Sequence, residues 1–134
     1  MSESDIDPLA RKAQADLIVD RAAGQLRRIV HQLAEQLEPF PPFPGAFFTN
    51  AIEVEPDAAG SADRGCVVVG PDGDLYELIM GVEFDSPEAF VDPVAARTEE
   101  LRKLELHPRD YVVYAYNAVG ALAEALLQKA EEGL

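Results

Sequence analysis

The sequence is poor in several of the residue types that define a functional site. It has one cysteine (Cys66), two histidines and no tryptophan. A single cysteine excludes an internal disulfide and is typical of a reducing compartment. Its only basic neighbour is Arg64, so we interpret it as a small buried apolar residue. Neither His31 nor His107 lies at metal-ligand spacing to Cys66, and no phosphate-binding or nucleophile motif is present. We therefore predict no metal, no cofactor and no catalytic residue.

Basic residues are also scarce. The chain has 11 Lys and Arg against 25 Asp and Glu, which gives a formal net charge of −14. Such a chain repels phosphate backbones and anionic lipids, so we expect no direct binding to nucleic acid or to membranes. A basic protein partner is compatible with this charge, although acidity can also serve solubility alone.

Apolar runs long enough to cross a membrane are lacking as well. Residues 111–127 have only Asn117 and Glu124 as strongly polar residues, but a membrane span needs about 20 apolar residues. Residues 1–7 lack the cationic start and the apolar run of a signal peptide. We therefore expect a cytoplasmic protein with a single domain over residues 1–134, in which residues 1–7 form a flexible tail.

Each end of the chain has the pattern of a long helix. Asp7 and Pro8 are a capping and a first-turn residue, and apolar residues recur at helical spacing as far as Glu38-Pro39. A second pattern runs from Pro108 to about Glu132. Its small residues permit close approach of the first helix, or of the same helix in a second subunit. Because one chain has few elements to cover so apolar a helix, we expect a homodimer.

The middle of the chain has the pattern of β-strands. Residues 51–55 alternate apolar and acidic, residues 65–69 are a β-branched run, and residues 75–84 place their apolar side chains on one face. Residues 70–74 have the composition of a turn. We predict a three-stranded antiparallel meander with one buried face.

The segment after the strands has two helix-start signals, Ser86-Pro87 and Asp92-Pro93. The second signal predicts a helix as far as Leu104. The predicted fold is therefore α+β: a long N-terminal helix, a three-stranded antiparallel meander, then two C-terminal helices packed on one face of the sheet.

Two features favour protein binding. Residues 40–48 hold four of the six phenylalanines among prolines, and large side chains on a rigid extended backbone are good interface anchors. These rings could instead fold back over the core. Residues 50–100 hold thirteen acidic and two basic residues, which suits either a docking face for a basic partner or an ordinary solvated sheet face. The candidate partner-binding residues are Phe40, Phe43, Phe47, Phe48, Glu53, Glu55, Glu77 and Glu83.

We therefore favour a non-enzymatic, chaperone- or adaptor-like protein-binding module that works as a homodimer. One alternative is a small-ligand-binding domain or a modest enzyme with a pocket between the sheet and the last helix. A second alternative is an acidic inhibitor that mimics nucleic acid. The pocket of the first alternative would be formed by Tyr111, Tyr114, Asn117 and Glu124.

Overall fold

The computed structural model describes residues 7–55, 66–82 and 97–133. In these ranges the fold is α+β, with two helices and a four-stranded antiparallel sheet. No helix within them is long and apolar enough to span a membrane. The elements are α1 (Pro8–Gln36), β1 (Ile52–Glu53), β2 (Cys66–Val69), β3 (Leu75–Val82), β4 (Arg97–Lys103) and α2 (Pro108–Glu132).

Helix α1 begins and ends where the sequence predicts. The Asp7 carboxylate accepts a hydrogen bond from the Leu9 N–H at 3.0 Å, and Pro8 occupies the first turn. The helix ends at Gln36, shortly before Pro39. Local signals decide both ends, because a cap satisfies free N–H groups and proline cannot continue a helix.

Helix α2 also has its predicted bounds. His107 is its N-cap, and its Nδ1 accepts a hydrogen bond from the Arg109 N–H at 3.4 Å. The two helices run side by side in the same direction. Arg27 of α1 lies over the Tyr111 ring near the start of α2, and the C-cap of α1 lines a cavity together with Ala125 near the end of α2.

The sheet has the order β1-β2-β3-β4, which keeps the predicted meander and adds a fourth strand. The predicted turn joins β2 to β3. Gly73 has a φ of +84°, and its N–H donates to the Gly70 carbonyl at 2.9 Å. Beyond the turn Val69 pairs with Leu75, so the sequence signals set the hairpin register here.

The predicted helix as far as Leu104 is wrong for residues 97–103, which form β4. This strand pairs with β3 along its whole length. Leu101 lies opposite Leu78, and the next residue, Arg102, lies opposite Glu77. Apolar and oppositely charged cross-strand pairs both stabilise a sheet. Without β4 the second edge of β3 would be unpaired, and this tertiary requirement overrides the helix propensity of residues 97–103.

The helices and the sheet form a core on one face, and residues 43–51 cover the other face. Helices α1 and α2 contribute to the core on the first face. The predicted helix starts at Ser86-Pro87 and Asp92-Pro93 lie outside the described residues. The main core includes Val30, Val67 and Leu122, and the outer cluster centres on Phe43, Val68 and Leu78. The expectation of one buried face is therefore incomplete, because β2 is enclosed on both sides.

Candidate functional site

The Phe/Pro segment (residues 40–48) forms a hairpin-like loop and not the extended polyproline-type strand that its composition predicts. The Phe43 N–H donates to the Thr49 carbonyl at 2.9 Å, and the Ala46 N–H donates to the Phe43 carbonyl at 2.9 Å. Pro44-Gly45 forms the corner, and the φ of +88° at Gly45 suits the third position of a type II turn. The segment therefore has two sides.

This loop separates the four predicted anchors into two pairs. Phe40 and Phe43 are 7% and 8% exposed, and they pack in the main core and the outer cluster respectively. Phe47 and Phe48 are 53% and 73% exposed, with ring centroids 6.4 Å apart. The first pair thus folds back over the core, as the alternative interpretation has it, and the second pair lies at the surface.

Glu99 of β4 holds the exposed pair in position. Its carboxylate accepts hydrogen bonds from the N–H groups of Phe47 at 2.7 Å and Phe48 at 3.1 Å, and from the Thr49 hydroxyl at 2.6 Å. Burial by itself would raise the pKa of Glu99, but these hydrogen bonds outweigh it, so the pKa lies below its usual value. Sequence reasoning missed this residue because its role depends on β4.

Two further exposed apolar side chains lie on the same sheet face. Met80 pairs with Glu99 in the β3–β4 register, and Leu101 lies two residues further along β4. Paired residues of antiparallel strands point to the same side, and so do residues two apart. We call the surface formed by Phe47, Phe48, Met80 and Leu101 the outer patch.

A trough runs along α2, between that helix and a wall made of β1 and residues 41–44. It consists of two adjoining cavities of about 500 and 550 Å³, which share Glu53, Ala121 and Glu124. Phe43 lines the second cavity with its neighbouring prolines. The Phe/Pro segment and the acidic strand β1 are separate in the sequence, but they line the same side of the trough.

The trough combines apolar and acidic groups. Val54 and Ala121 supply apolar surface, and Glu53, Glu55 and Glu124 supply three carboxylates. The Glu55 carboxylate also accepts a hydrogen bond from the Val67 N–H at 3.0 Å, which fixes it beside β2. Among the described residues that line both cavities, none is lysine or arginine. Such a surface favours a ligand with apolar and cationic groups.

The four predicted glutamates do not form one acidic sheet face. Glu53 pairs with Val68, and Glu77 pairs with Val67. Because adjacent strand residues point to opposite faces, Glu53 and Glu77 lie on opposite faces of the sheet. Glu83 lies outside the described residues. Of the three predicted glutamates that the structure describes, Glu53 and Glu55 line the trough and Glu77 does not.

The residues of the alternative pocket do not converge on one cavity. Asn117 and Glu124 line the trough, whereas Tyr114 is buried in the main core. Tyr111 lies in a separate cavity beside His31. Burial raises the pKa of Tyr111, and Arg27 partly offsets this effect.

Cys66 has no property of a nucleophile. Burial raises its pKa to about 12, and the carboxylates of Glu53 and Glu55 act in the same direction. The thiol is therefore protonated at neutral pH. In the part of the chain that the structure describes, no three His, Cys, Asp or Glu side chains are placed to hold a metal ion.

Comparison with known proteins finds no relative. No protein-family model matches the sequence, no curated protein is similar to it, and no solved structure matches the fold. Function is therefore inferred from the geometry of the trough, the outer patch and the cavity beside His31.

Proposed function

We propose that this protein is a non-enzymatic, chaperone- or adaptor-like protein-binding module that holds an extended segment of a basic partner in the trough. The observation that carries the proposal is the composition of the trough: its described lining residues include apolar side chains and three glutamates but no lysine or arginine. Charge complementarity selects a segment with apolar side chains and with lysine or arginine. The proposal assigns a cytoplasmic location, which the single cysteine supports.

The dimensions of the trough suit a short extended segment. It follows α2 from Asn117 to Gln128, which is about 16 Å at 1.5 Å per helical residue. A strand rises about 3.3 Å per residue, so the trough holds about five residues. The Val54 N–H donates to the Val67 carbonyl, so by alternation the backbone of Glu53 points away from β2. Ala51 already bonds to the Pro41 carbonyl on this side, but within the described sheet no strand pairs with β1 at Glu53, which supports pairing with an added strand there.

A peptide-binding experiment tests the trough. The probe is a fluorescent hexapeptide of alternating leucine and arginine, compared with versions in which glutamate or glutamine replaces arginine. We expect anisotropy to show binding of the arginine peptide alone. The double variant Glu53→Gln/Glu124→Gln should weaken it about tenfold, because two charge-assisted contacts are lost.

The matched control removes two charges outside the trough. Glu35→Gln/Glu131→Gln changes exposed helix residues and gives the same net charge as the trough variant. Affinity should change little in this control. Equal weakening in both double variants, or equal binding of the glutamate peptide, would show that the trough does not recognise a basic segment.

The outer patch supplies a second contact in this proposal. Phe47 and Phe48 are exposed, yet Glu99 fixes their backbone, so these rings lose little entropy on docking. Once a partner is known, Phe47→Ser/Phe48→Ser should weaken its binding independently of ionic strength. Weakening by the trough variant should instead depend on salt. If neither the outer-patch variant nor the trough variant weakens binding, neither surface is the binding site of that partner.

The proposal includes a homodimer formed through α2. Its outer side has a second apolar stripe at spacings of three and four, in which Tyr116 is 73% and Leu127 is 67% exposed. Gly120 lies mid-stripe, and a Cβ atom there would meet no other atom within 4 Å, which permits close approach of a second helix. This 3-4 repeat is the pattern of helices that pack against each other. The stripe consists of Val113, Tyr116, Gly120, Ala123 and Leu127. Tyr116 and Gly120 also line the first cavity of the trough, so a dimer formed through this stripe borders the partner-binding site.

Light scattering at micromolar concentration tests the homodimer. The wild type should have twice the 14.6 kDa mass of one chain. Leu127→Glu should give single chains, because it places a charge in the apolar stripe. Leu9→Glu, on the exposed side of α1, is the matched control and should leave the mass unchanged. A wild type that scatters as a single chain would contradict this part of the proposal.

A further inference from the structure

A third cavity lies apart from the trough, between α1, the β2–β3 turn and the start of α2. Its volume is about 360 Å³, near the lower end of the range for small-ligand pockets. Leu75, Leu104, Leu106 and the buried ring of Tyr111 give it an apolar interior. Its polar groups are Arg27, His31, Asp74, Lys103 and Glu105.

The side chains of His31 and Lys103 converge on one carboxylate, that of Asp74. The His31 Nε2 lies 2.9 Å from one Asp74 oxygen, and the Lys103 Nζ lies 3.5 Å from the other. The His31 hydrogen bond is the main cause that lowers the pKa of Asp74. The charge of Asp74 is therefore compensated from within the cavity, and it contributes little repulsion to an incoming anion.

Arg27 is different, because within the described residues it has no carboxylate partner. Its guanidinium lies 4.6 Å from the centroid of the Tyr111 ring. Arg27 also interacts with the Tyr111 hydroxyl through a hydrogen bond, but a guanidinium has five N–H donors, so others stay available to a carboxylate. The stack also limits the rotamers of the arginine, so less entropy is lost when an anion binds.

The contrast with the rest of the molecule favours an anion at this place. The chain has a net charge of −14, and the described residues that line the trough include three glutamates and no lysine or arginine. The third cavity has Arg27 and Lys103 against Asp74 and Glu105. The charged side chains of this cavity are therefore balanced in a chain that is acidic as a whole, and its leucines suit an apolar group.

We propose that this cavity binds a small organic carboxylate with an apolar body, with the carboxylate held by Arg27 and the body against Leu104 and Tyr111. Lys103 and His31 hold Asp74 away from the ligand. Glu105 is the one carboxylate of the lining without an ion-pair partner among the described residues, so it opposes binding. The site is independent of the trough, with which it shares no lining residue.

The test is a nuclear magnetic resonance titration of the full chain with benzoate. Benzamide is the uncharged control of the same shape, and inorganic phosphate is the anion without an apolar body. We expect benzoate alone to shift the amide signals of residues around Arg27, Asp74 and Leu104. Arg27→Gln should weaken benzoate binding about tenfold, whereas Arg28→Gln, its exposed neighbour, should not.

A variant that should bind more tightly separates recognition of the ligand from a loss of structure. Glu105→Gln should strengthen benzoate binding several-fold, which a variant that merely damages the fold cannot do. The proposal is overturned if benzamide binds as well as benzoate, if Arg27→Gln and Arg28→Gln have equal effects, or if the shifts map to the trough. An unshifted spectrum of a folded wild type at millimolar benzoate would also overturn it. Failure here leaves the peptide experiment on the trough unaffected.

Discussion

Gly73 in the β2–β3 turn packs directly against His31 of α1. A Cβ atom at residue 73 would lie 2.2 Å from the Cδ2 of His31 and 2.8 Å from its Cα. The φ of +84° also disfavours any L side chain at this position. The contact fixes the turn to the helix, and it brings the adjacent Asp74 within hydrogen-bond distance of His31.

Gly73→Ala should therefore destabilise the fold by about 3 kcal/mol, from strain and overpacking together. Gly45→Ala is the matched control, because Gly45 has a similar φ of +88° but no atom within 4 Å of its Cβ position. It should cost only about 1 kcal/mol. Urea unfolding measures both. Equal losses would show that the contact with His31 contributes nothing.

Phe43→Ala and Phe48→Ala should differ greatly in their effect on stability. Phe43 is 8% exposed in the outer cluster, so its truncation should cost about 3 kcal/mol or more. Phe48 is 73% exposed, and its truncation should change the unfolding free energy by less than about 0.5 kcal/mol. Urea unfolding measures both losses of stability. Similar losses in the two variants would contradict a loop with one buried and one exposed side.

Glu99 should make stability depend on pH. Its pKa is lowered in the folded state, so its contribution is present above the unfolded-state pKa of about 4.3 and is lost as the pH falls through the folded-state pKa. At pH 7 the free energy of unfolding should be larger for the wild type than for Glu99→Gln. This difference should become smaller as the pH falls below about 5. Unfolding of both proteins at pH 7, 5, 4 and 3 measures this, with Glu100→Gln as control. A gap that is constant with pH would be inconsistent with the carboxylate network.

Cys66 should react slowly with Ellman's reagent. Its pKa of about 12, against an ordinary cysteine pKa of about 8.5, leaves on the order of a thousandfold less thiolate at pH 8. The reaction in urea is the control, since unfolding removes both the burial and the nearby carboxylates. Fast reaction of the native protein would mean that the thiol is neither buried nor surrounded by negative charge.

The two helices and the β2–β3 turn could be predicted because their signals are local. Asp7 and Pro8 start α1, Pro39 lies just beyond its end, and Pro108 starts α2. The residue types at these positions act on the backbone within one turn, so no knowledge of distant partners is needed. Gly73 is also a local signal. Its positive φ favours glycine whatever the turn packs against.

β4 and the residues around it could not be predicted in this way. Arg97–Lys103 has no strong strand pattern, and its pairing partner β3 precedes it by a long connection. Without β4, the sequence does not indicate that Glu99 binds the backbone of Phe47 and Phe48. The trough was found only in part, because Glu53 and Glu124 become neighbours only when β1 packs beside α2.

Strand β2 belongs to both cores at once. Val67 and Val69 point toward the helices and Val68 toward the outer cluster, and all three have 0% exposure. Neither layer can loosen without uncovering one of these valines, so the two layers melt as one cooperative unit. We therefore expect the amide hydrogens of this strand to exchange with deuterium only when the whole domain opens.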